Sequence, residues 1–382
     1  MQPAEVTRDA VDVLPEGALD EKLKLDRPLR VKLGVDPTSP DVHLGFAYVL
    51  ERLADFQRAG HTIVLIVGDY TARIGDPSGR SKERPVLDDA DLDANARFFA
   101  EQAYTILDRH QTEVRFNGEW LGALSYGEVV RLCRHFTVAR LLERDDFAKR
   151  FGAHVPISLS ELLYPVMQAY DSVAVEADVE IGGTDQLYNL LAGRDLMEHL
   201  GLDPQVVVTY PLLVGLDGRE KMSKSRGNYI GITEPPEQMF GKVMSIPDEA
   251  LEQWWRLCLG SEPPATDPMK SKLALAAGIV TKWKGPQAAA AAELHFTRVV
   301  RRHEAPEDVP EEPLPEGDTI HLPALLANGM GIGSTSEARR LIAQGGVKID
   351  GEVVTELDVA RDLLAGAVVQ AGKRRFKRFR AA

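Results

Sequence analysis

Long apolar runs are missing from this 382-residue chain, although 44% of its residues are hydrophobic. No stretch approaches the roughly 18 apolar residues that span a bilayer, so no membrane segment is expected. The start, Met1-Gln2-Pro3-Ala4-Glu5, has neither a basic cluster nor an apolar core, so no secretory signal is expected either. Cysteine is scarce. Cys133 and Cys258 stand alone, without metal-ligand spacing, and read as reduced, buried thiols of a cytoplasmic protein. Positive charge is not in surplus: the net charge of −13 argues against a protein coated in nucleic acid over its whole surface. No internal repeat is visible, which sets solenoid architectures aside.

The average charge hides an asymmetry. Residues 303–318 hold seven acids (Glu304, Glu307, Asp308, Glu311, Glu312, Glu316, Asp318) among four prolines. The last stretch holds six bases in eight residues: Lys373, Arg374, Arg375, Lys377, Arg378 and Arg380. A locally basic end on an acidic protein predicts one site for a polyanion.

The apolar pattern predicts strand, helix, strand near the start. Residues 30–36 read as a strand ending at Asp36-Pro37, 41–59 as a helix stopping at Gly60, and 62–68 as a strand buried on both faces. That is a βαβ unit. Segments 94–108, 126–150 and 185–200 read as helices, and Val206–Val214 as a further apolar run. Residues 1–232 are therefore expected to form a doubly wound parallel, Rossmann-like sheet that binds ligand at the carboxyl ends of its strands. From 233 to 302 helices dominate (235–244, 248–259, 267–283, 287–302). Residues 303–318 read as a stiff, solvated, acidic and Pro-rich linker. Residues 319–382 read as a small α+β module with helices near 322–328 and 336–343 and short strands near Val347–Ile349, Val353 and Val368–Gln370.

Chemistry concentrates in two distant motifs. Lys221-Met222-Ser223-Lys224-Ser225, flanked by Gly218 and Gly227, can close on a polyphosphate: lysine brings compact charge, while serine and backbone N–H groups bring hydrogen bonds. Alone, it would read as a basic surface loop. The second motif, Asp36-Pro37-Thr38-Ser39-Pro40-Asp41-Val42-His43-Leu44-Gly45-Phe46, lies where a strand hands over to a helix whose N-terminus is a ready anion site. His43 can donate to a phosphate oxygen. Gly45 leaves space for a flat base against the backbone.

With both motifs present, the chain resembles the class I aminoacyl-tRNA synthetases, whose signatures are His-x-Gly-His and Lys-Met-Ser-Lys-Ser. Gly75-Asp76-Pro77-Ser78-Gly79-Arg80, Tyr164-Pro165-Val166-Met167-Gln168-Ala169-Tyr170-Asp171 and Gly182-Gly183-Thr184-Asp185-Gln186 narrow the resemblance to tyrosyl-tRNA synthetases of bacterial type, from about residue 29 to the C-terminus. The resemblance implies activation of L-tyrosine with ATP to tyrosyl-adenylate and pyrophosphate, then transfer to the 3′ end of tRNA(Tyr). Thr38, His43, Lys221, Lys224 and Ser225 would stabilise the departing pyrophosphate, helped by Arg80 and Arg84. Asp36, Gly45, Gly183 and Asp185 would lie by the adenosine and adenylate. Asp76, Tyr164 and Gln168 would clamp the tyrosine ammonium, Asp171 would accept the phenol hydroxyl, and Gln186 would lie by the carboxylate. Mg²⁺ would ride on the ATP phosphates without a dedicated protein cage, and no prosthetic group is implied.

Each residue also has a structural reading. Asp76 could start a turn, Asp185 could cap helix 185–200, Tyr164 and Tyr170 could be core aromatics, and Asp171 could be half of a buried ion pair. Two positions depart from the family. Phe46 replaces the second signature histidine and cannot donate. Lys32 replaces a tyrosine that helps hold the substrate hydroxyl; it either bonds the phenol oxygen or forms a salt bridge outside the pocket.

Residues 319–382 resemble the RNA-binding fold of ribosomal protein S-four, through Ser336-Glu337-Ala338-Arg339-Arg340-Leu341-Ile342-Ala343-Gln344-Gly345-Gly346-Val347, Asp350-Gly351 and Gly372-Lys373. Arg339, Arg340, Lys373, Arg374 and Arg375 would grip phosphates, and tail aromatics would stack on bases. The resemblance further implies a homodimer with its interface around 115–165. Competing readings are a tryptophanyl enzyme, an RNA-binding protein built on a synthetase body, and a simpler nucleotidyltransferase.

Overall fold

The computed structural model describes residues 6–37, 41–78, 89–264, 267–301, 309–372 and 375–380. It divides into two compact units: Met1–Glu234 with Ile246–Thr266, and Pro235–Ser245 with Asp267–Ala382.

The first unit is built on six strands: β1 (Asp12–Leu14), β2 (Arg30–Val35), β3 (Thr62–Val67), β4 (Thr112–Phe116), β5 (Val179–Gly183) and β6 (Val206–Tyr210). Their order is β1-β6-β5-β2-β3-β4. All neighbours run parallel except β1, which pairs antiparallel with β6. The β-branched runs of β3 and β6 are buried on both faces, as a sheet covered by helices on both sides requires. The chain goes from β2 outward to β3 and β4, then returns to the other side of β2 with β5. A crevice opens at the carboxyl ends of β2 and β5, where the two directions part.

Helices also contribute residues to the lining of that crevice. Helix α1 (Leu44–Arg58) follows β2, and His43 is its N-cap. Helix α2 (Leu159–Ala174) packs on α3 (Leu187–His199) through a cluster of Val166, Ala169, Ala192 and Leu196. Pro165 lies inside α2 and removes a backbone donor there. A capping box between Ser158 and Glu161 and the Arg150–Glu161 ion pair secure its first turn.

The observed elements correct several readings. Residues 126–150 are three short helices, Tyr126–Cys133, Val138–Leu142 and Asp145–Gly152, because Ser125 and Thr137 cap new starts. Residues 246–266 belong to the first unit and not to the helical region: Gln253 donates to the Leu212 carbonyl and accepts from the Val214 N–H. Helical period announces a helix, not the surface it packs on.

In the second unit, Pro236–Met244, Pro268–Lys284 and Pro286–Phe296 pack together as helices. The small module has β7 (Glu311–Pro313), β8 (Thr319–His321), β9 (Val347–Ile349), β10 (Glu352–Val353), β11 (Asp358–Ala360), β12 (Val368–Ala371) and β13 (Arg375–Arg380). Five of them form a sheet in the order β10-β9-β12-β13-β7, over a core that includes Leu322, Leu326, Ile342, Val369 and Phe379. The linker reading therefore fails at its end. Residues 311–313 pair with β13, and Leu314 is buried in the module's core. The basic tail is a strand in which Phe379 is core rather than a stacking platform. Cys258 is buried and Cys133 half-buried, and no disulfide joins them.

Candidate active site

A cavity of about 720 Å³ fills the crevice. Its lining joins the ends of β2 and β5 (Leu33 to Asp36; Ile181 to Gly183) to His43, Gly45 and Phe46, and to Lys221, Met222, Ser223 and Lys224. The two motifs thus meet. The His43 backbone forms an antiparallel bridge with Gly231, and hydrogen bonds run from the Leu44 N–H to the Ile230 carbonyl (3.0 Å) and from the Ile232 N–H to the Val42 carbonyl (2.9 Å).

The lysine loop is tied down at its base. Val214 bridges Lys221, and the Met222 N–H donates to the Leu213 carbonyl at 2.8 Å. Asn228 accepts from the Ser223 N–H and donates to Asp217 and to the Lys221 carbonyl. Gly227 takes φ +66°, a left-handed turn that lets the chain reverse after the Lys224–Arg226 turn. Burial pushes the Lys224 ammonium down to about 8, against the pull of Asp41. Lys221 is ion-paired with Asp185. Asp185 therefore faces the lysine loop and caps no helix; the cap position of its turn is Gly183.

His43 is buried. Burial first, then Lys224 and Lys221, push its imidazole down to about 3. The ring is neutral at neutral pH. Its Nδ1 accepts the Phe46 N–H at 3.2 Å, so the hydrogen sits on Nε2. A neutral imidazole facing two lysines can give a hydrogen bond to an anion without carrying charge itself. Phe46 lines the same cavity and packs edge-on against His43 and Phe99, with ring centroids 5.7 and 5.3 Å apart. The second signature position is therefore an aromatic wall.

The opposite end of the cavity is a closed polar pocket. Asp171 is buried and accepts from Trp120 Nε1 at 2.8 Å and from Asn117 Nδ2 at 3.2 Å. Asn117 also donates to Thr71 Oγ1, which donates to Asp36. Burial pushes the Asp171 carboxyl up to about 7; Lys32, Trp120 and Asn117 pull against that rise, and Glu180 adds to it. Among the described residues Asp171 has no direct ion-pair partner; Lys32 pairs with Glu180 instead.

Beside it lie Asp76, Tyr164, Gln168 and Gln186. Asp76 accepts from the Ser78 N–H at 2.8 Å, the geometry of a turn, and from Gln186 Nε2 at 2.9 Å. Burial works to raise the Asp76 carboxyl, but Ser78, Arg144 and Gln186 outweigh it, leaving Asp76 below the ordinary carboxylate range. Tyr164 donates to Asp36 at 3.0 Å. Gln168 Oε1 is buried, with no hydrogen-bond partner among the described residues. An ionised carboxylate beside an unsatisfied amide oxygen suits a cation. Tyr170, by contrast, packs on the α2–α3 cluster.

Lys32 lies behind this pocket, fully buried. Nζ pairs with Glu180 at 2.9 Å and donates to Ser172 Oγ at 2.7 Å and to the Gln168 carbonyl at 3.2 Å. All three ammonium hydrogens are used, so none remains for a phenol. The salt-bridge alternative holds: Lys32 pairs with Glu180 in the core and does not line the cavity.

Sequence reasoning missed Asn117, Trp120 and Glu180, and with them Ser78, Arg144 and Asn189, which support Asp76 and Gln186 from behind. Asn117 had one usable signal: it follows directly on β4, at the carboxyl end of a strand. Among the described residues no group of three or more His, Cys, Asp or Glu gathers that could hold a metal ion. In the small module, Arg340 and Arg375 line one groove of about 500 Å³, whereas Arg339 lies 3.4 Å from His321 Nε2. Thr38, Arg80, Arg84, Lys373, Arg374 and the side chain of Ser225 lie outside the described residues.

The comparisons with known proteins follow this layout. A family model described as "tRNA synthetases class I (W and Y)" matches residues 24–277, and an S4 domain model matches 322–359. The chain is 48% identical to a tyrosine–tRNA ligase of Moorella thermoacetica, covering 97% of this chain and 94% of that one. It is 47% identical to the tyrosine–tRNA ligase of Haemophilus influenzae, with 99% and 96% covered. Among solved structures it is similar to tyrosyl-tRNA synthetase from Aeropyrum pernix (TM-score 0.62, 19% identity, 78% of this chain and 97% of that one). It is also similar to the Archaeoglobus fulgidus enzyme complexed with L-tyrosine (TM-score 0.58, 23% identity, 76% and 98%). At those identities the likeness is one of fold.

Proposed function

The chain belongs to the tyrosyl-tRNA synthetase family, and from that membership we propose how its cleft divides the work. The protein joins tyrosine to tRNA, using ATP. The tyrosine carboxylate attacks the ATP α-phosphate, pyrophosphate leaves, and the tyrosyl group then passes to the terminal ribose of tRNA(Tyr). The nucleophile is already an anion, so the first step needs no general base. Its barrier falls through positioning and through donors that tighten as charge moves onto the leaving group.

At the phosphate end, neutral His43 donates from Nε2, and Lys224 and Lys221 supply charge. Lys221 leaves Asp185 when the triphosphate arrives. Thr38, Ser225, Arg80 and Arg84 serve the same group. Asp36, Gly45, Gly183 and Asp185 flank the nucleoside. At the amino-acid end, ionised Asp76, the Tyr164 hydroxyl and Gln168 Oε1 hold the ammonium. Gln186 lies by the carboxylate. Asp171, held by Trp120 and Asn117, accepts the phenol hydroxyl. Mg²⁺ enters on the ATP phosphates as part of the substrate. The observation that carries this reading is the shared cavity, with a neutral histidine and two lysines at one end and a buried carboxylate at the other.

The helices of the second unit and the small module take the tRNA, Arg340 and Arg375 gripping phosphate in their common groove, and Arg339, Lys373 and Arg374 add positive charge. The enzyme works in the cytoplasm as a homodimer through the face around 115–165. Tyr126, Phe151 and Leu159, which are 85%, 64% and 74% exposed, lie in that stretch.

Pyrophosphate exchange with each of the twenty amino acids, followed by charging of bulk tRNA, tests this. Exchange with tyrosine alone and charging of tRNA(Tyr) is the expected result. Exchange driven by tryptophan, or none at all, would refute it.

A further inference from the structure

Lys32 lies behind the pocket and does not line the cavity, whereas its partner Glu180 reaches the cavity wall. Lys32 comes from β2 and Glu180 from β5, and both are fully buried. Around them is a connected polar network. Glu180 accepts from Ser172 Oγ at 3.0 Å, from Gln205 Nε2 at 2.5 Å and, at 3.4 Å, from Gln168 Nε2. Lys32 holds the Gln168 carbonyl and the Ser172 hydroxyl. Residues 168 and 172 flank Asp171 along α2, so the pair grips the stretch of helix that carries two proposed tyrosine contacts. The space for the network is made by Gly193 on α3. A Cβ there would stand 2.8 Å from Gln205 Nε2 and 2.9 Å from Ser172 Oγ.

A buried ion pair of this kind is a poor route to stability, because desolvation offsets most of the attraction. Two apolar residues would pack as well. Its place suggests another use. We propose that Lys32 and Glu180 are positioning residues for amino-acid selection: they anchor α2 to the sheet and balance the field in which Asp171 accepts the phenol hydroxyl. This rests on the assignment of Asp171 to that hydroxyl.

The two charges act on Asp171 with opposite signs, Lys32 favouring its carboxylate and Glu180 opposing it. Among the described residues the direct partners of Asp171 are the neutral donors Trp120 and Asn117 from the β4 side. Asp36 and Asp69 stand one step farther off, Asp36 bonded to Thr71 and Asp69 accepting the Gly118 and Tyr70 N–H groups. Removing either member of the pair therefore unbalances the field in a direction fixed by its charge. Without Lys32 the Asp171 carboxylate is harder to form. Without Glu180 it forms more readily.

The test is the ratio of kcat/KM for tyrosine over phenylalanine in pyrophosphate exchange, followed across pH. Terms from ATP and from the amino acid's own amine and carboxylate cancel in that ratio. Its acid limb reports Asp171. Lys32→Met is expected to move that limb up by about one pH unit and Glu180→Gln to move it down by a similar amount. Lys32→Met/Glu180→Gln is expected to return it close to the wild-type position. If Lys32→Met fails to fold, the step from Glu180→Gln to the double variant reads the Lys32 effect instead. Shifts of the same sign, or no shift in either variant, would overturn the proposal. Asp171→Asn separates the two levels. If that change leaves the tyrosine-to-phenylalanine ratio intact, the assignment of Asp171 is wrong. If it collapses the ratio while the pair's variants leave the limb unmoved, only the ion-pair proposal fails.

Discussion

The two ends of the cleft are built differently. At the amino-acid end the carboxylates have their partners before any substrate arrives: Asp171 holds Trp120 and Asn117, Asp76 holds Ser78 and Gln186, and Lys32 and Glu180 close the network behind them. Among the described residues Gln168 Oε1 has no partner, and a cation is proposed to sit there. At the phosphate end, Lys221 is held by Asp185, a partner that an arriving anion can replace, and Lys224 sits where burial weakens its hold on a proton. The difference teaches where each property is stored. Selection needs a fixed arrangement of donors and acceptors, because an unpaired buried group is what rejects the wrong side chain. Rate needs groups that strengthen their contacts only as the leaving group gains charge.

The sharpest way to break this comparison is at Asp171. Asp171→Ala should erase most of the preference for tyrosine over phenylalanine, about 10⁴–10⁵-fold. That magnitude is the one established for this class of enzyme and is not calculated from the site. Competition between the two amino acids in exchange measures it. Next is Lys224→Ala, which should slow tyrosine-dependent exchange by about 10²–10³-fold while equilibrium dialysis finds tyrosine binding nearly unchanged. A comparable loss of both would mean the ends are not separable.

Two smaller effects sharpen the picture. The Lys224 ammonium sits at about 8, so kcat/KM for ATP should fall as pH rises through that value, because the proton is lost and with it the charge. Lys224→Arg should remove that basic limb within the range that can be assayed, since arginine stays charged. Phe46→His should raise the exchange rate, by up to roughly tenfold for one new hydrogen bond to a charged group. No change would mean the aromatic wall with Phe99 already sets the geometry there.

The phosphate end was legible in the sequence and the amino-acid end only partly so. His43 and the lysine loop announce themselves because their residue types are unusual for a strand-to-helix turn and a loop. The partners of Asp171 do not. Asn117 and Trp120 follow β4, whose half-buried Thr-Glu-Val-Arg-Phe lacks the apolar run that betrays β3. Helix α2, which carries Pro165 in its interior, was not among the helices read from the sequence. Lys32 looked anomalous because its counter-charge, Glu180, is adjacent only in the folded sheet, where β2 pairs with β5. At the other end of the chain, alternation was masked by charge: Phe379 faces the core of the small module, and Lys377 is bound to Glu312 and to the Gly329 carbonyl.

One measurement tests the central claim most directly: a crystal structure of the enzyme with a tyrosyl-sulfamoyl adenosine, an unreactive stand-in for the adenylate. A phenol oxygen within hydrogen-bond distance of the Asp171 carboxylate, in the same ligand whose sulfamoyl oxygens face His43 Nε2, is the predicted result. A ligand whose side chain lies away from Asp171, or whose sulfamoyl group lies out of reach of both His43 and the lysine loop, would contradict it.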